Sequence, residues 1–192
     1  MAGSNHAHHG RYSMRWTAGD AAALAGLLAE SATTGAGVLD IGGGTGGLAS
    51  LLAQALECPV TVVDSDERAV REAGALDGIT AVCADATALP FGDGVFDAAI
   101  LFDALHHVVD QERAIREVAR VVRIGGVVVA CELDPRVFRV QVTAVPKRVH
   151  GERPVFLEPA VLARLFAATG VDGECETGHG GSYVFRGVRV SC

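Results

Sequence analysis

Short runs of aliphatic and β-branched residues alternate along this chain with longer stretches whose apolar positions recur every three or four residues. The runs Gly37–Ile41, Val60–Asp64, Ile79–Cys83, Ala98–Phe102 and Val127–Glu132 are nearly continuous in apolar character, as expected of strands covered on both faces. Helical patterns fall between them at Gly47–Leu56, Asp66–Ala75 and Asp110–Arg123. In the last, Ala114, Ile115, Val118, Val121 and Val122 form an apolar stripe, Glu112, Arg113, Arg116, Glu117 and Arg120 are expected to face water, and Gly125-Gly126 reads as the helix stop. Ahead of the first strand, Thr17–Glu30 reads as a helix, with leucines at 24, 27 and 28 and with Asp20 or Thr17 as its cap. After a helix near Glu158–Thr169, two strand patterns, Asp172–Thr177 and Ser182–Val190, are joined by only Gly178-His179-Gly180-Gly181, which requires an antiparallel pair. The alternation predicts an α/β, Rossmann-like, doubly wound and mostly parallel seven-stranded sheet ending in a C-terminal antiparallel hairpin.

Composition narrows the setting without supplying an activity. The 192 residues are 49% hydrophobic, enough for one domain with its own core. Apolar runs stop at about eight residues, as in Ile124–Cys131, too short for a membrane span. A net charge of −7 without a dense basic run disfavours nucleic acid as a partner. Cys58, Cys83, Cys131, Cys175 and Cys192 are widely spaced and form no CxxC pair, so neither a disulfide framework nor a zinc ribbon is expected. With no basic-then-apolar leader pattern, these features predict a cytoplasmic chain. Residues 1–35 read as an N-terminal arm and helix, 36–192 as the main domain, and 133–157 as an insertion.

The densest chemical signal is VLDIGGGTGG, Val38–Gly47, where the first strand meets the next helix. Glycines there allow positive φ and bring backbone N–H groups close to a ligand. Gly42, Gly44 and Gly47 fit a dinucleotide fingerprint; Gly42, Gly44 and Gly46 fit a different nucleoside loop. Asp64 closes the second strand, 18 residues past Gly46, where an acid reaches ribose hydroxyls, although a turn or cap role fits it equally. Asp85 ends the third strand in reach of an adenine amino group. Asp40, inside the first strand, sits where an NAD site is usually apolar, and suits a ligand with a cationic end.

VLDIGGGTG, VTVVDSD, CADATALPF, FDAAILFDALHHV and REVARVVRIGG follow the order and spacing of motifs in class I S-adenosylmethionine-dependent methyltransferases. The chain resembles the type 11 group, which includes the C-methyltransferases of ubiquinone and menaquinone biosynthesis, over about Val38 to Glu132. That resemblance implies S-adenosyl-L-methionine as cofactor. Asp40, Gly42 and Gly44 would face its methionine part, with Gly42 and Gly46 shaping the loop beneath. Asp64 would hold the ribose, Ser65 would pack beside the adenine, Asp85 and Ala86 would meet the adenine edge, and Phe102 would lie near the methionine. Ile124 stands where the family usually has proline before Gly-Gly. An NAD(P)-dependent oxidoreductase and a non-catalytic cofactor-binding regulatory protein are the alternatives.

On the acceptor side, Asp103, His106 and His107 follow the fourth strand and are the candidate catalytic residues, with Glu132 at the end of the fifth strand as a further candidate. The D/N-P-P-Y tetrad of nucleobase amino-group methylation is absent, since Phe102-Asp103-Ala104-Leu105 occupies its place. The acceptor is therefore expected to be a small molecule, and the protein a monomer or homodimer. Tyr12, Met14 and Trp16 of the arm and the insertion are expected to build the acceptor pocket. Arg136, Arg139, Lys147, Arg148 and Arg153 against Asp134 and Glu152 give the insertion a net charge of +3, which suits an anionic acceptor. His6, His8 and His9 lie in a polar end with no cysteine or carboxylate nearby to complete a metal site, and no metal is expected.

Overall fold

A computed structural model describes residues 18–29, 35, 37–137 and 154–191. The elements are α1 (Ala18–Leu28), β1 (Val38–Ile41), α2 (Gly47–Leu56), β2 (Val60–Asp64), α3 (Glu67–Ala73), β3 (Ile79–Cys83), β4 (Phe96–Phe102), α4 (Gln111–Val121), β5 (Val122–Leu133), α5 (Pro159–Ala167), β6 (Val171–Thr177) and β7 (Ser182–Arg189). The seven strands form one sheet in the order β3-β2-β1-β4-β5-β7-β6. β1 through β5 run parallel, and β7 enters antiparallel between β5 and β6. The expected architecture is the observed one.

Alternation along each central strand divides the core into two layers. Leu39, Ile41, Ala99, Leu101, Val128 and Ala130 pack on the face covered by α4 and α5. Val38, Val60, Val62, Ala98, Ile100 and Val129 pack on the face covered by α1 and α2. Asp40 belongs by register to this second face, between Val62 of β2 and Ile100 of β4. The reversal of strand order at β1 opens a crevice beyond the carboxyl ends of β1 and β4, where doubly wound sheets bind ligands.

Three local expectations need correction. α4 ends at Val121, and Gly125-Gly126 lies within β5 instead of stopping the helix. A Cβ at Gly126 would come within 2.6 Å of the Asp97 carbonyl oxygen, so glycine there lets β5 close on β4. Glu117 and Arg120 do not simply face water. Arg120 donates to the carbonyls of Leu89 and Phe91 and pairs with Asp93 and Glu117, while Glu117 accepts from the Leu89 N–H, fastening the β3–β4 connection onto α4. Asp20 is the third residue of α1 and so is not its N-cap. Thr17, the arm residues Tyr12, Met14 and Trp16, the histidines 6, 8 and 9, and most of the insertion, including Arg139, Lys147, Arg148, Glu152 and Arg153, lie outside the described residues.

The C-terminal hairpin is anchored by Phe166 of α5 stacked on Phe185 of β7, with ring centroids 4.6 Å apart and both side chains fully buried. Phe166→Ala removes that stack and leaves a cavity, so unfolding free energy in urea is expected to fall by about 3–5 kcal/mol. A loss below about 1 kcal/mol would show that α5 and the hairpin do not fold as part of the main core.

Candidate active site

The glycine loop is held from below by β2. Gly42 N–H donates to the Val63 carbonyl at 2.7 Å, and Gly44 N–H donates to Asp64 Oδ2 at 2.9 Å. The other Asp64 oxygen accepts from the Asp66 N–H at 2.9 Å, and Asp66 in turn caps α3 through the Arg68 N–H. Gly42, Gly44 and Gly46 take φ of 74°, 55° and 78°, a region that disfavours side-chain-bearing residues. The loop delivers the chain to α2 with Gly46 as its N-cap and no side-chain oxygen satisfying the helix start. Gly43 is constrained differently, because a Cβ there would lie 2.6 Å from Asp40 Oδ2.

Asp40 is 1% exposed, and its Oδ2 is the buried side-chain polar atom left without a hydrogen bond among the described residues. Burial, helped by the nearby Asp64 carboxylate, raises its pKa from 3.8 to about 7. Among the described residues Oδ2 has no hydrogen-bond donor, an arrangement that suits a site accepting a cationic or donating group from a ligand.

At the carboxyl ends of β2 and β3, Asp64 pairs in register with Cys83, and Ser65 and Asp85 are exposed at the same sheet end while Ala86 is half-buried. Asp85 accepts from the Thr87 N–H at 2.7 Å, and that bond to Thr87 holds its pKa below the usual carboxylate value. Phe102 is half-buried at the end of β4. Thus the candidates Asp40, Gly42, Gly44, Gly46, Asp64, Ser65, Asp85, Ala86 and Phe102 fall along the carboxyl ends of β1 to β4.

The segment after β4 abuts the glycine loop so closely that a Cβ on Gly42 would lie 2.6 Å from that of Ala104. Asp103 adopts φ 51°, uncommon for a residue with a side chain, and that side chain is 38% exposed. A single 3-10 turn, Leu105–His107, follows. His106 is buried, with Nδ1 2.8 Å from Glu132 Oε2 and 3.8 Å from Asp103 Oδ1, and its ring stacks on Phe156 at 4.5 Å. His107 is exposed, its ring 4.1 Å from that of His106. The three candidates are therefore adjacent but differ sharply in access. Arg136 forks onto Asp134 at 2.7 Å, so part of the insertion's positive charge is already engaged.

Gln111, absent from the candidates drawn from sequence, is buried and donates from Nε2 to the carbonyls of both Leu105 and Val155. It ties the 3-10 turn to the segment returning from the insertion. A glutamine at a helix start carries no pattern that separates this role from ordinary solvation.

The parallel sheet with a loop of positive-φ glycines under an acid-lined crevice defines a nucleoside-cofactor fold, and the antiparallel β7 inserted beside β5 sets it apart from the all-parallel dinucleotide arrangement. Residues 39–130 match a family model described as a methyltransferase domain. That stretch, just under half of the chain, is similar to the methyltransferase-domain family. A demethylmenaquinone methyltransferase of Mycolicibacterium vanbaalenii is 50% identical over 62 residues, covering 32% of this chain and 27% of that protein. The match thus spans about a quarter of that relative's length. Among solved structures, a methyltransferase bound to the Trm112 activator of Haloferax volcanii superposes with a TM-score of 0.75 at 16% identity, covering 88% of this chain and 90% of the other. A geranyl diphosphate methyltransferase in complex with S-adenosylmethionine gives 0.68 at 17% identity, covering 88% and 85%. These two likenesses establish the shared fold.

The Asp40 carboxyl keeps its proton up to about pH 7 in the folded chain but only to about 3.8 when unfolded. The folded state therefore binds more protons across that window, and ligand-free stability falls as pH rises through it, levelling off above. Urea unfolding at about pH 5 and about pH 8 is expected to show a larger fall for the wild type than for Asp40→Asn. Equal falls would mean that Asp40 is not titrating from a buried site.

Proposed function

We propose that this chain is an S-adenosyl-L-methionine-dependent methyltransferase acting on a small-molecule acceptor. The observation that carries this reading is the buried Asp40 carboxylate with an unpartnered oxygen beneath the glycine loop. The residues present fit a nucleoside with a cationic tail. Asp40 supplies the charge for the cationic methionine part, with Gly42 and Gly44 admitting it closely and Gly46 shaping the turn. Asp64, already accepting from Gly44, has lone pairs remaining for ribose hydroxyls. Ser65, Asp85 and Ala86 would border the adenine, and Phe102 would lie near the methionine end.

The cofactor supplies the activated methyl group on its sulfonium. The protein's work is to align the acceptor atom behind that methyl at about 3–3.5 Å and to exclude water. Asp103, His106 and His107 form the acceptor side, where a base is required only for an acceptor that arrives protonated. Of these, Asp103 and His107 have direct access, whereas His106 is enclosed. The +3 charge of residues 133–157 supports an acceptor bearing an anionic group, with less of it from Arg136, which Asp134 holds. Free thiols at Cys58, Cys83, Cys131 and Cys175 suit a cytoplasmic setting, and among the described residues no helix is long and apolar enough to cross a membrane. Neither the family match nor the relatives support the NAD(P) alternative.

Incubation with S-adenosylmethionine and fractionated metabolite extracts tests the reading. One metabolite is expected to gain the mass of a methyl group with matching formation of S-adenosylhomocysteine. Asp64→Ala is expected to weaken S-adenosylhomocysteine binding by about 1–3 kcal/mol through lost ribose and loop hydrogen bonds. Binding unaffected by Asp64→Ala would remove that residue from the site, and an absence of transfer across all extracts would oppose catalysis.

A further inference from the structure

Glu132 closes β5 with a side chain 3% exposed, and every hydrogen bond described for its carboxylate goes to one short segment. Oε1 accepts from the N–H groups of Ala104 at 3.2 Å and Leu105 at 2.7 Å, while Oε2 meets His106 Nδ1 at 2.8 Å. The neighbouring Cys131 carbonyl accepts from the Asp103 N–H at 2.9 Å. Two adjacent residues of β5 thus grip four consecutive residues after β4. The grip coincides with the left-handed backbone at Asp103, a conformation uncommon for side-chain-bearing residues and tolerated best by aspartate and asparagine.

The bonding also assigns a proton. Oε1 accepts from two N–H groups, an arrangement that favours the ionised carboxylate, and an ionised Oε2 meets His106 Nδ1 only as the acceptor of its hydrogen. In the neutral ring the lone pair then lies on Nε2, the usual consequence of an Nδ1–H bound to a carboxylate. We propose that Glu132 is a positioning residue for the acceptor side of the site: it shapes the Asp103–His106 segment and holds His106 in the Nδ1–H tautomer, leaving Nε2 as the basic nitrogen. The inference rests on the methyltransferase reading only for what this segment serves.

A divalent cation is the competing use of the same groups, since Asp103, His106 and Glu132 offer ligand atoms within 4.8 Å of one another. The 2.8 Å separation of His106 Nδ1 and Glu132 Oε2 argues for a shared hydrogen instead. Two ligands bonded to one tetrahedral zinc ion at about 2.0–2.2 Å each stand farther apart than that.

Nitrogen-15 NMR of the imidazole rings tests the assignment, with His106→Asn identifying the His106 signals. In the wild type, Nδ1 is expected to resonate as the protonated nitrogen and Nε2 as the unprotonated one. Glu132→Gln, nearly isosteric, presents amide hydrogens to the ring and is expected to shift the population to the Nε2–H tautomer. Affinity for S-adenosylhomocysteine in that variant is expected to stay within about threefold, because Asp40 and Asp64 stand on other strands. Should Glu132→Gln fail to fold, the wild-type tautomer and Glu132→Asp, which keeps the acceptor on a shorter arm, carry the test. An Nε2–H tautomer in the wild type, an unchanged tautomer in Glu132→Gln, or displacement of the Nδ1 hydrogen by stoichiometric zinc would each overturn the proposal. Failure of the wild type to bind S-adenosylhomocysteine, with the tautomer as expected, strikes the cofactor reading and leaves the positioning role of Glu132 standing.

Discussion

A carboxyl group enclosed in the middle of a central strand, with one oxygen unpartnered, is the constraint around which this protein is arranged. Asp40 lies between Val62 and Ile100 in register and faces the α2 layer of the core, a place where aliphatic side chains surround it. Burial there disfavours its ionised form, and the adjacent Asp64 disfavours it further. Such a group weakens the ligand-free fold as it ionises, and a bound cation reverses that penalty. The same carboxylate explains the glycine at position 43, where any Cβ would collide with it.

Two further carboxylates play parallel parts on either side of the crevice. Asp64, from β2, holds the glycine loop through the Gly44 N–H. Glu132, from β5, holds the segment after β4 through Ala104, Leu105 and His106. The two segments meet at Gly42 and Ala104, where a Cβ on the glycine would collide with that of the alanine. The site is thus built from loops whose shapes are set by acids on neighbouring strands, and hydrogen bonds to charged acceptors are strong enough to hold such shapes.

The central parallel strands were readable because burial on both faces leaves continuous aliphatic runs, and β2 falls at the expected residues. So does β3, although it lies at the sheet edge with no fully buried residue. The start of β5 was not, because Gly125-Gly126 after a helix has the form of a C-cap. Its actual reason, the approach of Gly126 to the Asp97 carbonyl, involves a residue far away in sequence. Periodicity placed Glu117 and Arg120 on the outer face of α4 but carried no information about the connection draped over them. The glycine loop and its acids were legible as local motifs. The work of Glu132 was not, since its backbone partners lie 27 and 28 residues earlier, and the access of His106 and His107 depends on packing against the chain returning at Phe156.

Titration calorimetry of the wild-type chain with S-adenosylmethionine and, separately, with NAD is the most direct test of whether this crevice is a methyl-donor site. One-to-one binding of S-adenosylmethionine without detectable heat from NAD is the predicted result. Binding of NAD with no response to S-adenosylmethionine would contradict it.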